Sequence, residues 1–267
     1  MLSINHIYAG YSGKKVLKDI SISNLKGGEL VGLIGPNASG KSTLFKSIAG
    51  LIKPLMGSID LGSVELTQLH RRDQARLVAY MPQAVGCNAI LTVFESVLLA
   101  LKQTTGWRVG KEDLNQVSQV LDTLELSHLA SRGIADLSGG QAQMVAVAQT
   151  LVRAPAVILL DEPTSALDLH HQLSIMNAIH IETKRRKPIV MAALHDLNLA
   201  AKFCDRLVLL NDGRIIADGS PELILNMPEL GETYGVSAGV ERTSRGALYV
   251  DAHLNSSVEL SYNYASA

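Results

Sequence analysis

Gly35-Pro36-Asn37-Ala38-Ser39-Gly40-Lys41-Ser42-Thr43 decides the fold. The stretch fits the pattern G-x-x-x-x-G-K-[ST] and lies between an apolar run, Glu29 to Gly35, and a segment with helical periodicity from Lys41. Glycines let backbone N–H groups close around phosphate oxygens, and a helix N-terminus adds positive potential. In that geometry Lys41 reaches the β- and γ-phosphates of a nucleotide and the Ser42 hydroxyl ligates Mg²⁺. The plainer reading is a glycine-rich turn between strand and helix with an exposed lysine.

Working outward, the first 35 residues read as strands. Leu2 to His6 and Val16 to Ser23 alternate loosely, and Gly27-Gly28 turn the chain into the run that ends at Gly35. Past the loop, Leu44, Ile48 and Leu51 fall on one helical face, with Gly50 near the helix end. Short strand-and-turn material follows to Gln83. From about Val85 to Ala154 the texture is helical, with Val93–Leu101, Glu112–Leu124 and Gln141–Val152 as the expected helices. Strand and helix then alternate from Ala156 to about Gly213, as in a parallel α/β sheet. Short strands around Arg245-Gly246 and a polar, mobile end complete the chain. One domain is expected, with residues 1–83 and 156–235 as its α/β core, 84–155 as a helical subdomain and 236–267 as a C-terminal extension.

Val157-Ile158-Leu159-Leu160-Asp161-Glu162-Pro163 is an apolar run ending in two acids. It suits a strand buried on both faces, stopped by Pro163. Successive side chains on a strand point opposite ways, so the two acids have separate tasks. Asp161 is assigned to the Mg²⁺ shell and Glu162 to orienting and activating the attacking water.

Leu137-Ser138-Gly139-Gly140-Gln141 has two readings. Ser138 and Gln141 make S-x-x-Q, a capping box that opens the next helix. A cap alone does not require two glycines, each of which costs about 1 kcal/mol against alanine inside a helix. They make sense where a ligand approaches the backbone closely, which makes this helix start a second anion site.

Composition narrows the field. The 267 residues are 47% hydrophobic and 18% charged, enough for a sizeable core. A net charge of −1 and 4% aromatic residues give neither the basic surface nor the stacking platform of a nucleic-acid binder. Cys87 and Cys204 are too few for a disulfide scaffold and carry no metal spacing, so they are read as free thiols in a reducing compartment. The longest apolar runs fall far short of the ~20 residues a spanning helix needs. Met1 to Lys15 lack the basic start and apolar stretch of a signal peptide. A positive mean hydropathy of +0.18 leaves room for a buried interface with a partner.

Taken together, these residues resemble the ATP-binding cassette (ABC) family from Tyr11 to about Tyr234. The resemblance rests on the phosphate loop, Gln83 after Tyr80-Met81-Pro82, the segment Ser138–Gln141, the pair Asp161-Glu162, Ser165-Ala166-Leu167-Asp168 and His195, in that order. It implies a P-loop NTPase (RecA-like) α/β core with a parallel sheet, an N-terminal antiparallel β subdomain and an inserted helical subdomain. It also implies ATP and Mg²⁺ as cofactors, and a head-to-tail dimer that sandwiches two ATP molecules between each phosphate loop and the partner's Ser138–Gln141 segment.

By that resemblance Tyr11 stacks on adenine, residues Gly35 to Thr43 hold the phosphates, and Gln83 reads Mg²⁺ and water. Asp161 joins Ser42 and Gln83 in the metal shell, and His195 contacts the γ-phosphate. Ser138, Gly139, Gly140 and Gln141 act across the dimer, and Asp168 ties the two sites together. Each also has a plainer reading: a turn aromatic for Tyr11, a loop amide for Gln83, a strand-end histidine for His195. The chain departs from the family at Ala38, where glycine is common, and at Ala142 and Met144, where basic residues are common. Met144 instead continues an apolar stripe with Ala148 and Leu151. The pair His170-His171 and the run Lys184-Arg185-Arg186-Lys187 read as solvated helix faces or ends.

Such a cassette offers a solute no path, so the resemblance implies a separate integral-membrane permease, a substrate-binding protein in the same system, a place on the cytoplasmic face of the inner membrane, and no nucleic-acid partner. The groove for the permease is expected near Gln83 and the start of the helical insert. About 32 residues follow Gly235, too few for the regulatory domain of sugar-importer cassettes. Leu194 to Ala201 followed by Cys204-Asp205, with Thr92 to Val97, resembles metal-chelate importer cassettes, which take ferric siderophores, haem or cobalamin; a ferric siderophore is favoured. The alternatives are a cassette for another metal or small solute, and a non-transport cassette ATPase, which typically carries two cassettes or a coiled-coil insert. A phosphate-loop kinase leaves the Ser138–Gln141 segment without use.

Overall fold

A computed structural model describes residues 1–11, 13–83, 90–106, 108–165, 167–244 and 246–254. The expectations placed on Cys87, the Val85 start of the helical arm, Ala166, Arg245 and the polar end lie outside them. Strands β1 (Leu2–Tyr11), β2 (Lys14–Leu25), β4 (Met56–Leu61) and β5 (Val64–Glu65) form an antiparallel sheet in the order β2-β1-β4-β5. Strands β3 (Leu30–Ile34), β6 (Val78–Met81), β7 (Val157–Asp161), β8 (Ile189–Ala193), β9 (Arg206–Asn211) and β10 (Arg214–Gly219) form the central sheet, ordered β10-β9-β3-β8-β7-β6. Five of its strands are parallel, and β10 closes the edge antiparallel to β9.

The middle of the central sheet is buried on both faces, because β3, β7 and β8 are enclosed at every position and almost wholly apolar. Val157 and Leu159 of β7 join the core shared with the antiparallel sheet and with α1 (Lys41–Ile48), where Phe45 is fully enclosed. Ile158 and Leu160 point the other way, into a core shared with α5 (Gly139–Val152), α6 (Leu169–Arg186) and α7 (Leu197–Phe203). That second core runs on without a break into α3 (Val93–Thr105) and α4 (Lys111–Thr123), so the helical arm shares apolar contacts with the sheet. Buried Lys102 pairs with Asp113 at 3.0 Å and ties α3 to α4.

Helix α1 is shorter than its periodicity predicts. It stops at Ile48, Gly50 takes φ 69°, and Leu51 is exposed rather than on the buried face. The stretch read as strand and turn contains α2 (Arg71–Leu77), whose only buried side chain is Gln74, so it carries no apolar period. The two basic features lie on largely exposed helix ends, as expected, and carry ion pairs there. Lys184 pairs with Asp205 at 2.7 Å, and Arg185 and Arg186 hold nearly buried Glu182, which needs counter-charge where α6 meets the sheet. His171, half-buried, lies 2.7 Å from Asp168.

Beyond β10 come α8 (Pro221–Leu225), α9 (Pro228–Tyr234) and a hairpin of β11 (Val236–Arg242) and β12 (Leu248–Leu254), longer strands than expected. The Tyr234 hydroxyl accepts from the Gly35 N–H at 2.8 Å, and the Asn198 side chain on α7 accepts from the Val250 N–H at 2.8 Å. The chain's end thus reaches both the phosphate loop and the helix that follows His195.

The β9–β10 turn is a second brace. Asp212 and Gly213 both have positive φ, 44° and 74°, as a two-residue hairpin loop requires. Gly213 donates to the Ser39 carbonyl at 2.9 Å and accepts from the Lys18 N–H at 2.7 Å, and the Lys18 ammonium meets Asp212 at 2.8 Å. A Cβ on Gly213 would lie 1.9 Å from the Val16 carbonyl oxygen, so no other residue fits without moving the turn. Gly213→Ala is expected to lower the unfolding free energy by at least about 2 kcal/mol. Urea denaturation measures it, and a wild-type midpoint would show that the turn is free to shift.

Candidate nucleotide site

Three chain segments converge at the carboxyl ends of β3, β7 and β8, where open parallel sheets bind ligands. They enclose a cleft of about 790 Å³ lined by residues 37–43 with Gln83, Glu162 and His195. The loop's shape is fixed by backbone crowding. Gly35 has φ 145°, and a Cβ there would lie 2.0 Å from the Leu210 carbonyl oxygen. Ala38 also lies in the left-handed region, at φ 62°, which accounts for the preference for glycine there.

Lys41 is buried and gives two of its three N–H donors to the Gly35 and Pro36 carbonyls, at 2.7 and 2.9 Å. Burial holds its ammonium below the usual lysine range, against the pull of Glu162 and Asp161. Asp161 ends β7 almost fully buried. One carboxylate oxygen accepts from Tyr80 at 3.1 Å, and the other has no hydrogen-bond partner among the described residues. Burial and then the neighbouring Asp161 push the Tyr80 phenol up, so it stays a donor. An unpaired buried carboxylate oxygen, a serine hydroxyl and a glutamine carbonyl are oxygen donors of the kind Mg²⁺ takes, so the chemistry of Asp161, Ser42 and Gln83 fits it.

Glu162 leaves the strand with φ 55°. Its carboxylate is shared: His195 Nε2 lies 2.5 Å from Oε1, and Gln83 Nε2 donates to Oε2 at 2.7 Å. The imidazole and the carboxylate share a hydrogen bond there, with donor and acceptor set by the histidine tautomer. The two acids diverge as the sequence predicts, but for a further reason: strand alternation stops at Asp161, and the left-handed turn aims Glu162.

The other expected residues lie outside the cleft lining. Tyr11 ends β1, half-exposed. Ser138 caps α5, accepting from the Gln141 N–H at 3.3 Å while the Gln141 side chain accepts from the Ser138 N–H at 3.1 Å. The capping box therefore exists in full. A Cβ on Gly139 would meet nothing within 4 Å, so no contact among the described residues calls for glycine. Asp168 caps α6 through the His171 N–H at 2.9 Å, the main cause of a carboxyl held below the usual range. Met144, Ala148 and Leu151 are all buried, as the apolar stripe predicts.

Sequence reasoning missed several lining residues. Lys14, Lys15 and Lys18 border the cleft from β2, and Asp212 and Gly213 border it from the β9–β10 turn. The lysine pair next to Tyr11, and Asp-Gly between two apolar runs, were the available signals.

Comparison with known proteins agrees with this geometry. The family model described as ABC transporter matches residues 17–165. The chain is 36% identical to a hemin import ATP-binding protein of Gloeobacter violaceus over 92% of this chain and 91% of that one. It is 32% identical to a petrobactin import ATP-binding protein of Bacillus anthracis, over 96% and 94%. Among solved structures, it superposes with a TM-score of 0.75 on a dimeric ATP-binding cassette in a post-hydrolysis state bound to ADP and Pi, 28% identical, over 83% of this chain and 99% of that one. With that match over more than half its length, the chain belongs to the ABC transporter family, as one of its ATP-binding chains that hydrolyse ATP with Mg²⁺.

Proposed function

We propose that this chain energises uptake of a metal chelate, a ferric siderophore foremost, through a separate membrane permease. The observation that carries this reading is likeness over nine-tenths of the chain to proteins named for import of hemin and of petrobactin. Among the described residues no helix is long and apolar enough to cross a membrane, in keeping with a permease on another chain. The cassette then works at the cytoplasmic face of the inner membrane, held there by the permease and supplied by a substrate-binding protein.

In this reading Tyr11 stacks on adenine while the N–H groups of residues 37–43 and the Lys41 ammonium hold the phosphates. Bound Mg²⁺ neutralises charge on the β- and γ-phosphate oxygens, with Ser42, Gln83 and Asp161 as its protein donors. Glu162 accepts the proton of the attacking water. His195 keeps its Nε2–H on one Glu162 oxygen, and exposed Gln83 is the partner that yields the other to water. Ser138, Gly139 and Gly140 of a second copy close over the γ-phosphate, and Asp168 links the two sites across that dimer. Open space at Gly139 supports this arrangement, because it leaves the backbone bare for a ligand.

Glu162→Gln is expected to retain Mg-ATP and accumulate a closed dimer, with hydrolysis down at least ~100-fold. Size-exclusion chromatography and phosphate release read this, and brisk turnover would remove Glu162 from the role. Ser138→Arg is expected to abolish hydrolysis while calorimetry finds ATP bound to the monomer nearly as tightly as before; equal loss of binding would refute action across the dimer. For the cargo, the permease captured with the tagged chain is reconstituted in vesicles. ATP hydrolysis should rise with a ferric siderophore and its binding protein. Stimulation by hemin or cobalamin instead would correct the cargo, and stimulation by none of them would overturn the importer reading.

A further inference from the structure

Gln143 lies on α5, one helical turn beyond Ser138, and its side chain is only 5% exposed. Its amide nitrogen donates to the backbone carbonyl of Glu162 at 2.6 Å. That carbonyl also receives the Ser165 hydroxyl at 3.2 Å and the Ser165 N–H at 3.3 Å. A non-glycine residue at φ 55° costs about 1 kcal/mol or more and persists only when neighbours over-determine it. Of the groups on this carbonyl, the two from Ser165 belong to the same turn. Among the described residues Gln143 alone arrives from another element.

We infer that Gln143 is a positioning residue for hydrolysis: its amide fixes the Glu162 backbone and so sets the carboxylate against His195 and Gln83. Gln143 takes no part in the cleft lining, so its effect passes through Glu162. It also sits on the helix that begins with Ser138–Gln141. A rotation of α5 against β7 therefore has to carry Glu162 with it or break this bond. The segment proposed to close over the partner's nucleotide and the carboxylate proposed to act on the chain's own nucleotide are thereby joined by one rigid helix and one hydrogen bond. The inference rests on the proposed role of Glu162.

Gln143→Met keeps the volume and removes the donor. The expected result with Mg-ATP is a fall in kcat of about 10-fold or more, the scale of one lost hydrogen bond to a partly buried acceptor, with KM for ATP and calorimetric ATP affinity unchanged to within about twofold. Amide exchange at Ser165 should accelerate without nucleotide, a readout independent of turnover. Gln143→Glu, matched in shape and lacking the donor when ionised, should lose kcat likewise and covers the case in which the methionine variant does not fold. A lowered melting temperature with wild-type kcat would reduce Gln143 to a packing residue and overturn the inference. If Glu162→Gln is inactive while Gln143→Met turns over normally, the role of Glu162 stands and this inference alone falls.

Discussion

The site depends on one local constraint: a strand buried on both faces must end in two acids with different surroundings. Strand β7 can be apolar at Val157, Ile158, Leu159 and Leu160 only because the antiparallel sheet covers one face and the helices the other. That double burial carries Asp161 into a nearly dry position, where one oxygen is met by Tyr80 and the other has no hydrogen-bond partner among the described residues. The next residue cannot continue the strand, since Pro163 follows and lacks an N–H for the ladder. The chain turns at Glu162 through a left-handed conformation, which brings its carboxylate round to His195 on β8's far end and Gln83 after β6. Three parallel strands thus place their C-terminal residues within hydrogen-bond reach of one another.

The phosphate loop answers to the same sheet. Its glycine at 35 is pressed by the Leu210 carbonyl of β9, its Ser39 carbonyl is held by Gly213, and its first N–H is taken by Tyr234. A loop braced by two distant segments, the β9–β10 hairpin and the end of α9, binds an anion without first being ordered, so little conformational entropy is lost on binding. The strain at Ala38 and the burial of the Lys41 ammonium, both unfavourable to the empty protein, are sustained by that bracing and by the apolar core beneath.

Much of this was legible in the sequence because its signals are local. The loop pattern, the apolar run of β7, the capping box at Ser138 and the three periodic helices of the arm each fit within a short window and coincide with the structure. What stayed hidden was long-range or unpatterned. Helix α2 has one buried polar residue and no apolar stripe. Leu51 keeps the helical period, but the helix ends before it. The three lysines of β2 and the Asp212-Gly213 turn reach the cleft only because β2 meets the β9–β10 hairpin across the two sheets, which no spacing records. Gln143 reads as one polar residue among several on a helix. Its partner is a backbone carbonyl, and a backbone atom has no sequence identity to match.

The cleft and Ser138–Gln141 differ in how far the chain itself explains them. Around Gly35 and Gly213 every requirement for glycine is met by a neighbouring carbonyl of the same chain, so those residues are accounted for by folding alone. At Gly139 the surroundings are open, and Ser138 and Gln141 already satisfy each other in the capping box. An alanine would fit the fold there and lower the helix's conformational cost. The glycine is therefore unexplained by stability, and a backbone kept bare at a helix N-terminus is suited to an anion arriving from outside. The same chain presents a cleft with bound-in lysine and acids and, on α5, a bare amide end with no phosphate of its own to hold. The proposed head-to-tail pairing of two copies would satisfy both, and Gln143 joins the helix that carries the bare end to the residue that faces the cleft.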